Sequence, residues 1–236
     1  IASFVLVAAQ GLLGGLTVIH FLPVSLSSLH GVFGQSFFVV CLMISYGLSV
    51  ERGLRLNASE EYDGKFIRFV LILTGMVFVQ LIIGNILRHT NSGLAIPDFP
   101  TTGGTFIPTM NQAMLDRINV WRFEHNLDPV KMGQVHIHLT HRIWGVLILL
   151  KLIFINQVAY KRYLNNMLVM KTLFWLNMAV VLQIGLGIGT VLMEKEPVTT
   201  TLHVTVGAIV LALSFLLFLR ASPCMIAAYQ KAIAKK

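Results

Sequence analysis

The sequence predicts an all-α integral membrane protein whose transmembrane helical bundles form a pseudo-twofold repeat. Three observations lead there. The chain is 56% hydrophobic and only 12% charged, with a mean hydropathy of +0.76. Its apolar residues fall into six runs, near 2–20, 29–50, 66–87, 134–156, 172–193 and 198–219, each close to the roughly 20 residues a helix needs to cross a bilayer core. Finally, residues 10–35 recur as 183–208 at a fixed offset of 173, with eight identities: Gln10/Gln183, Leu13/Leu186, Gly14/Gly187, Thr17/Thr190, Val18/Val191, Leu29/Leu202, His30/His203 and Gly34/Gly207. Apolar spans resemble one another by composition. Matched Gln, Thr and His do not, because polar groups are costly in lipid and rarely recur at one spacing by accident.

Lipid offers no hydrogen-bond partners to the backbone, so the spans must be helices. The first and last contain no Asp, Glu, Lys or Arg. Orientation follows from the basic residues of the connections. Ten lie on one face, at Arg52, Arg55, Lys65, Lys161, Arg162, Lys171, Arg220, Lys231, Lys235 and Lys236; five lie on the other, at Arg88, Arg117, Arg122, Lys131 and Lys195. The richer face is expected to be cytoplasmic, and with it the C-terminus. The net charge of +8 is explained by this distribution, so no nucleic-acid partner is expected. The two cysteines, Cys41 and Cys224, form neither a CxxC nor a metal-ligand spacing and read as inert thiols.

This topology gives three histidines a shared depth. His30 opens the second span, His141 lies about two turns into the fourth and His203 opens the sixth, all on helices running inward. At 1.5 Å per residue they lie about 3–12 Å below the outer boundary. Imidazoles at one depth on different helices of a bundle match the axial ligation of a haem, and the glycines around them leave space for a flat macrocycle or for close helix packing. His20, His89 and His136 read as interfacial.

Together, QGLLGGLTV (10–18), GNILRHTNSGLAIPDFP (84–100), HLTHR (138–142) and the LH pairs at 29–30 and 202–203 resemble the haem A synthase family along essentially the whole chain. The resemblance implies eight transmembrane helices in two four-helix bundles, six of which are present here. Residues 1–50 would be the last two helices of the N-terminal bundle, 51–65 a cytoplasmic linker, and 66–221 the C-terminal bundle with an external loop at 89–133; 222–236 would be a cytoplasmic tail. The counterpart of His141 would fall upstream of Ile1, so roughly a hundred residues are expected to precede this sequence. In the family, that part carries the second substrate-haem histidine, an acidic residue three positions before it and, in many members, a cysteine pair.

By the same resemblance, His141 and His203 would ligate a haem b, and His30 the substrate haem o, whose C8 methyl is oxidised to the formyl of haem a for terminal oxidases. Arg142 and Arg88 are candidates for the haem propionates, with headgroup snorkelling an equal account of Arg88. His138, one turn before His141, is a candidate to orient that ligand or to meet a neighbouring helix. The implied setting is the cytoplasmic membrane of a prokaryote, with the haem sites toward the outer leaflet. An electron donor is required; haem o synthase, oxidase assembly factors and a second copy of the chain are the partners left open. Three other classes remain: a bis-histidine cytochrome that only transfers electrons, a di-iron oxygenase hinted at by HIHLTH (136–141), and a transporter with buried histidines.

Overall fold

The computed structural model describes residues 1–21, 23–57 and 63–222. Among them are eight α-helices and no strand: α1 (Ala2–Ile19), α2 (Val24–Gly47), α3 (Val50–Asn57), α4 (Gly64–His89), α5 (Gln112–Glu124), α6 (Met132–Arg162), α7 (Met167–Leu192) and α8 (Pro197–Ala221). Six of these, α1, α2, α4, α6, α7 and α8, are long and apolar enough to cross a membrane. The protein is an all-α, multi-pass membrane protein.

The helix starts are written in the sequence. Asp63 accepts from the backbone N–H groups of Lys65 (2.8 Å) and Phe66 (3.3 Å), and Asn166 accepts from that of Val169 (3.2 Å). Glu196 accepts from those of Val198 (3.0 Å) and Thr199 (2.6 Å), one residue before Pro197. Each cap satisfies donors that the first helical turn leaves unpaired.

Two elements depart from the sequence reading. The expected linker 51–65 begins as helix α3, because the Ser49 hydroxyl caps it by accepting from the Arg52 N–H at 3.2 Å; residues 58–62 lie outside the described residues. The loop 89–133, expected to be external, contains α5, started by Asn111, whose side chain accepts from the Met114 N–H at 3.0 Å. Met114, Leu115 and Ile118 of α5 bury themselves against Ala95, Ile96, Val130 and Val135, which gives the loop a small core of its own. The second span starts at Val24 rather than 29, directly after Pro23. Of the expected tail, residues 223–236 lie outside the described residues, Cys224 with them.

Helices α4, α6, α7 and α8 form a closed ring in which α4 packs on α6, α6 on α7, α7 on α8 and α8 on α4. Phe66, Val70, Leu73, Ile155, Leu173 and Leu211 fill its centre. Helix α1 packs chiefly on α2, and α2 docks on α4 and α8. This docking rests on one close approach: the Asn85 carboxamide donates to the Ser28 carbonyl at 2.9 Å and occupies the space that a Cβ on Gly31 would fill. Deeper along α2, Tyr46 packs with Phe215 and Leu219 of α8.

At the end of α8, Arg220 closes the contact. It donates to both Glu51 oxygens through Nε (2.9 Å) and NH2 (2.5 Å), and to Thr172 Oγ1 through NH1 (2.7 Å). This paired geometry, at side-chain exposures of 17% and 26%, is the arrangement in which an ion pair contributes measurably. Glu51→Gln leaves a mostly buried guanidinium without its counter-charge, at a cost of about 1–3 kcal/mol. A lowered unfolding midpoint in detergent is the expected outcome; an unchanged midpoint would show that the pair does not hold α3 to α8.

Candidate functional site

Each of the three helix pairs is cross-braced by a glutamine on one helix and a histidine on the next. Each of these residues is followed, four positions later, by a glycine: Gln10–Gly14 with His30–Gly34, Gln80–Gly84 with His141–Gly145, and Gln183–Gly187 with His203–Gly207. Four residues is about one helical turn, so the polar residue and its glycine share a face. Each imidazole lies on the glycine of the opposite helix: a Cβ on Gly14, Gly84 or Gly187 would stand 3.1, 3.2 or 3.0 Å from the Cε1 of His30, His141 or His203. Conversely, a Cβ on Gly34, Gly145 or Gly207 would stand 2.7, 3.5 or 3.3 Å from the Nε2 of Gln10, Gln80 or Gln183. Glycine is the residue that lets ring and carboxamide approach the facing backbone.

Within two of these clasps the side chains touch directly. Gln183 Nε2 lies 3.4 Å from His203 Nε2. Gln80 Nε2 lies 3.3 Å from His141 Nε2 and also donates to the His141 carbonyl at 3.1 Å. A Cβ on Gly207 would also meet Leu81, the neighbour of Gln80, at 3.0 Å, so the α4/α6 and α7/α8 clasps sit at one level of the bundle.

The Nδ1 atoms of His30, His141 and His203 are buried without a hydrogen-bond partner, and so are the Oε1 atoms of Gln10, Gln80 and Gln183. Buried polar groups in folded proteins are nearly always satisfied. The same pair of orphaned atoms, met three times, fits a ligand that takes an imidazole nitrogen. Neutral imidazole at matched depth is also the donor chemistry that haem iron accepts, so these residues fit a haem.

The remaining candidates have other surroundings. His138 is 4% exposed, and its Nδ1 accepts from the Ile96 N–H at 3.1 Å. Arg142 spans the external loop: NH2 donates to the carbonyls of Ile96 (3.0 Å) and Asp98 (2.9 Å), and NH1 to that of Thr101 (3.1 Å). Its Nε faces His138 at 3.3 Å. Both residues were expected at the cofactor, and both are engaged in holding segment 96–101 over the outer end of α6. Arg88 is exposed at the end of α4. His136 is exposed, with Nδ1 at the Met132 carbonyl. The three histidines of HIHLTH thus face three separate environments, unlike the converging ligands of a di-iron centre.

A second buried guanidinium extends this roof: Arg122 donates to the carbonyls of Leu94 (2.8 Å) and Asp128 (2.6 Å), and burial lowers its pKa. Burial also lowers that of Lys195, reinforced by Arg122; its side chain lies against Gly93. Asp98 supplies the matching turn, accepting from the N–H groups of Gly103 and Gly104, each at 2.9 Å. Its burial opposes ionisation, but the hydrogen bonds from Thr101, Gly104 and Gly103 outweigh it and hold the carboxyl below its ordinary value.

The chain is similar to known proteins. A family model described as COX15-CtaA, cytochrome oxidase assembly protein, matches residues 1–215. The chain belongs to this family. Among curated proteins it is similar to the Heme A synthase of Cereibacter sphaeroides, 28% identical over 157 residues that make up 66% of this chain and 39% of that protein. It is also similar to that of Pelagibacter ubique, 25% identical over 183 residues (77% and 48%), and to that of Rickettsia bellii, 25% identical over 135 residues (57% and 37%). The matched regions thus span 37–48% of these relatives' length.

Sequence reasoning singled out the three histidines and missed the glutamines that the structure places beside them. Gln10 and Gln183 stood out as identities of the repeat; Gln80 did not, although the four-residue spacing to glycine marks all three alike. For the roof, the Asp98 shift gives a signed expectation. A carboxyl depressed in the folded state stabilises above its ordinary pKa of 3.8 and loses that contribution as pH falls through the folded value. The difference in unfolding midpoint between wild type and Asp98→Asn is expected to be largest near neutrality and to shrink in acid. A difference that stays constant with pH would remove Asp98 ionisation from the roof's stability.

Proposed function

We propose that this chain carries haem sites of an enzyme that oxidises the C8 methyl of haem o to the formyl of haem a. His141 and His203 hold a haem b within α4, α6, α7 and α8, and His30 holds the substrate haem beside α1 and α2. The observation that carries this reading is the thrice-repeated buried imidazole with an unsatisfied nitrogen. The relatives named Heme A synthase support the reaction class.

A haem held by both His141 and His203 would supply electron relay there, and His30 would hold the ring being oxidised. The chain's own contribution is to present neutral imidazoles at one depth, to seat each ring against a glycine of the facing helix, and to close the outer end with the loop held by Arg142 and Arg122. Arg88, exposed at the outer end of α4, is the cation that meets a propionate there; His138 and Arg142 act through the roof. The setting is the cytoplasmic membrane of a prokaryote, with the histidine pairs toward the outer leaflet.

Two variants separate the sites. In the full polypeptide, His203→Ala is expected to abolish the low-spin b-type spectrum; retention of that spectrum would remove His203 from the ligand set. His30→Ala is expected to leave the spectrum in place while haem o accumulates and haem a disappears from extracts of cells that make haem o. Undiminished haem a in the His30→Ala strain would return the chain to a cytochrome that only transfers electrons.

A further inference from the structure

We propose that Gln80 and Gln183 are positioning residues for the His141 and His203 imidazoles, each acting as a hydrogen-bond partner that reverses its polarity when the ring becomes a ligand. The inference rests on the haem reading above and goes beyond it, to how each ring is held with and without iron.

The argument starts from proton bookkeeping on a neutral imidazole. One ring nitrogen carries a proton and the other a lone pair. In His141 and His203, one nitrogen faces a carboxamide at 3.3–3.4 Å and the other is buried beside the facing glycine without a hydrogen-bond partner. In the structure, the Gln80 NH2 faces the His141 ring and also donates to the His141 carbonyl at 3.1 Å. The ring nitrogen it meets is therefore an acceptor, and the proton sits on the buried, unpartnered nitrogen. That state holds the ring in place while leaving one donor unsatisfied.

Iron needs the reverse at the nitrogen it takes, which must offer a lone pair. If iron takes the unpartnered nitrogen, the proton moves to the nitrogen facing glutamine, and the partner must now accept. A carboxamide does both jobs from one position, because rotation about its terminal torsion exchanges NH2 for Oε1. Leucine does neither, and a carboxylate only accepts. The Oε1 atoms of Gln80 and Gln183, buried and unpartnered, are the acceptors this second state uses. The glycines fix the register, since each ring and carboxamide rests on the facing helix within 2.7–3.5 Å of where a Cβ would stand. A hydrogen-bond acceptor on the ligand's second nitrogen makes the imidazole a stronger donor to the metal, which stabilises the oxidised iron and lowers its potential.

The test uses the full-length holoprotein carrying Gln183→Leu, Gln183→Glu and the same pair of changes at Gln80, with haem retention, midpoint potential and the low-spin electron paramagnetic resonance signal as readouts. Leucine is expected to weaken haem retention by about 10–100-fold, the usual effect of losing a partner of a metal ligand, and to raise the midpoint. Glutamate keeps the shape and strengthens the acceptor, so its midpoint is expected to fall. Opposite shifts from the two substitutions support the inference, because a merely structural disturbance moves both the same way. Where a leucine variant fails to fold, the sign of the glutamate shift decides alone. Midpoints and signals unchanged from wild type, or shifted in one common direction, would overturn the positioning role and leave the haem assignment standing. A wild-type protein with no low-spin haem would instead overturn the assignment on which it rests.

Discussion

The constraint on which the rest of the structure depends is the placing of a polar ring and a polar amide against bare backbone inside an apolar bundle. Interhelical polar contacts in membranes contribute only about 0.6 kcal/mol on average. A buried polar atom without a partner costs about 1–3 kcal/mol. Each clasp leaves two such atoms, the histidine Nδ1 and the glutamine Oε1. The balance is against the clasp as a stabilising device, so helix packing alone does not account for its threefold presence. The glycines follow from the same constraint, since any Cβ at Gly14, Gly84 or Gly187 would press the ring off the facing helix.

The stabilisation comes from elsewhere. The four-helix ring buries Phe66, Leu73, Ile155, Leu173 and Leu211 below the level of the clasps. The α1/α2 pair is tied to it mainly through α2, by Asn85 against Gly31, by Tyr46 against Phe215 and Leu219, and by α3 through Glu51 and Arg220. The level of the clasps is thus left as the poorly satisfied part of a well-packed molecule. Local strain and unmet polar groups gather in this way at functional sites.

How much of this was legible in the sequence follows from how local each signal is. The six spans were readable because hydropathy is a property of consecutive residues, and the ends missed by a few positions are set by caps such as Asp63 and by Pro23. The α1/α2 and α7/α8 clasps were half visible, because their glutamine and histidine stand 20 residues apart in both copies, joined by a short turn. The α4/α6 clasp carries the same elements, but Gln80 and His141 are separated by 61 positions. The external loop falls between them and hides the correspondence from any fixed offset. The roof was not legible at all. Arg142 and Arg122 donate to backbone carbonyls, and a carbonyl acceptor leaves no mark on residue identity.

The roof and the clasp also meet in one turn of α6. His138, His141 and Arg142 share that turn, yet His138 is tied to the Ile96 N–H, His141 to Gln80 and Arg142 to three loop carbonyls. Any rotation of the turn that re-aims the His141 ring must therefore strain the contacts to segment 96–101, and any opening of the loop releases the turn. Two neutral anchors and one charged fork on successive faces of one helix restrain it about its own axis, which a single packing contact cannot do. The placement of the His141 ring is in this way built from the loop inward, and segment 96–101 acts on the ring through the backbone contacts of the residues beside it.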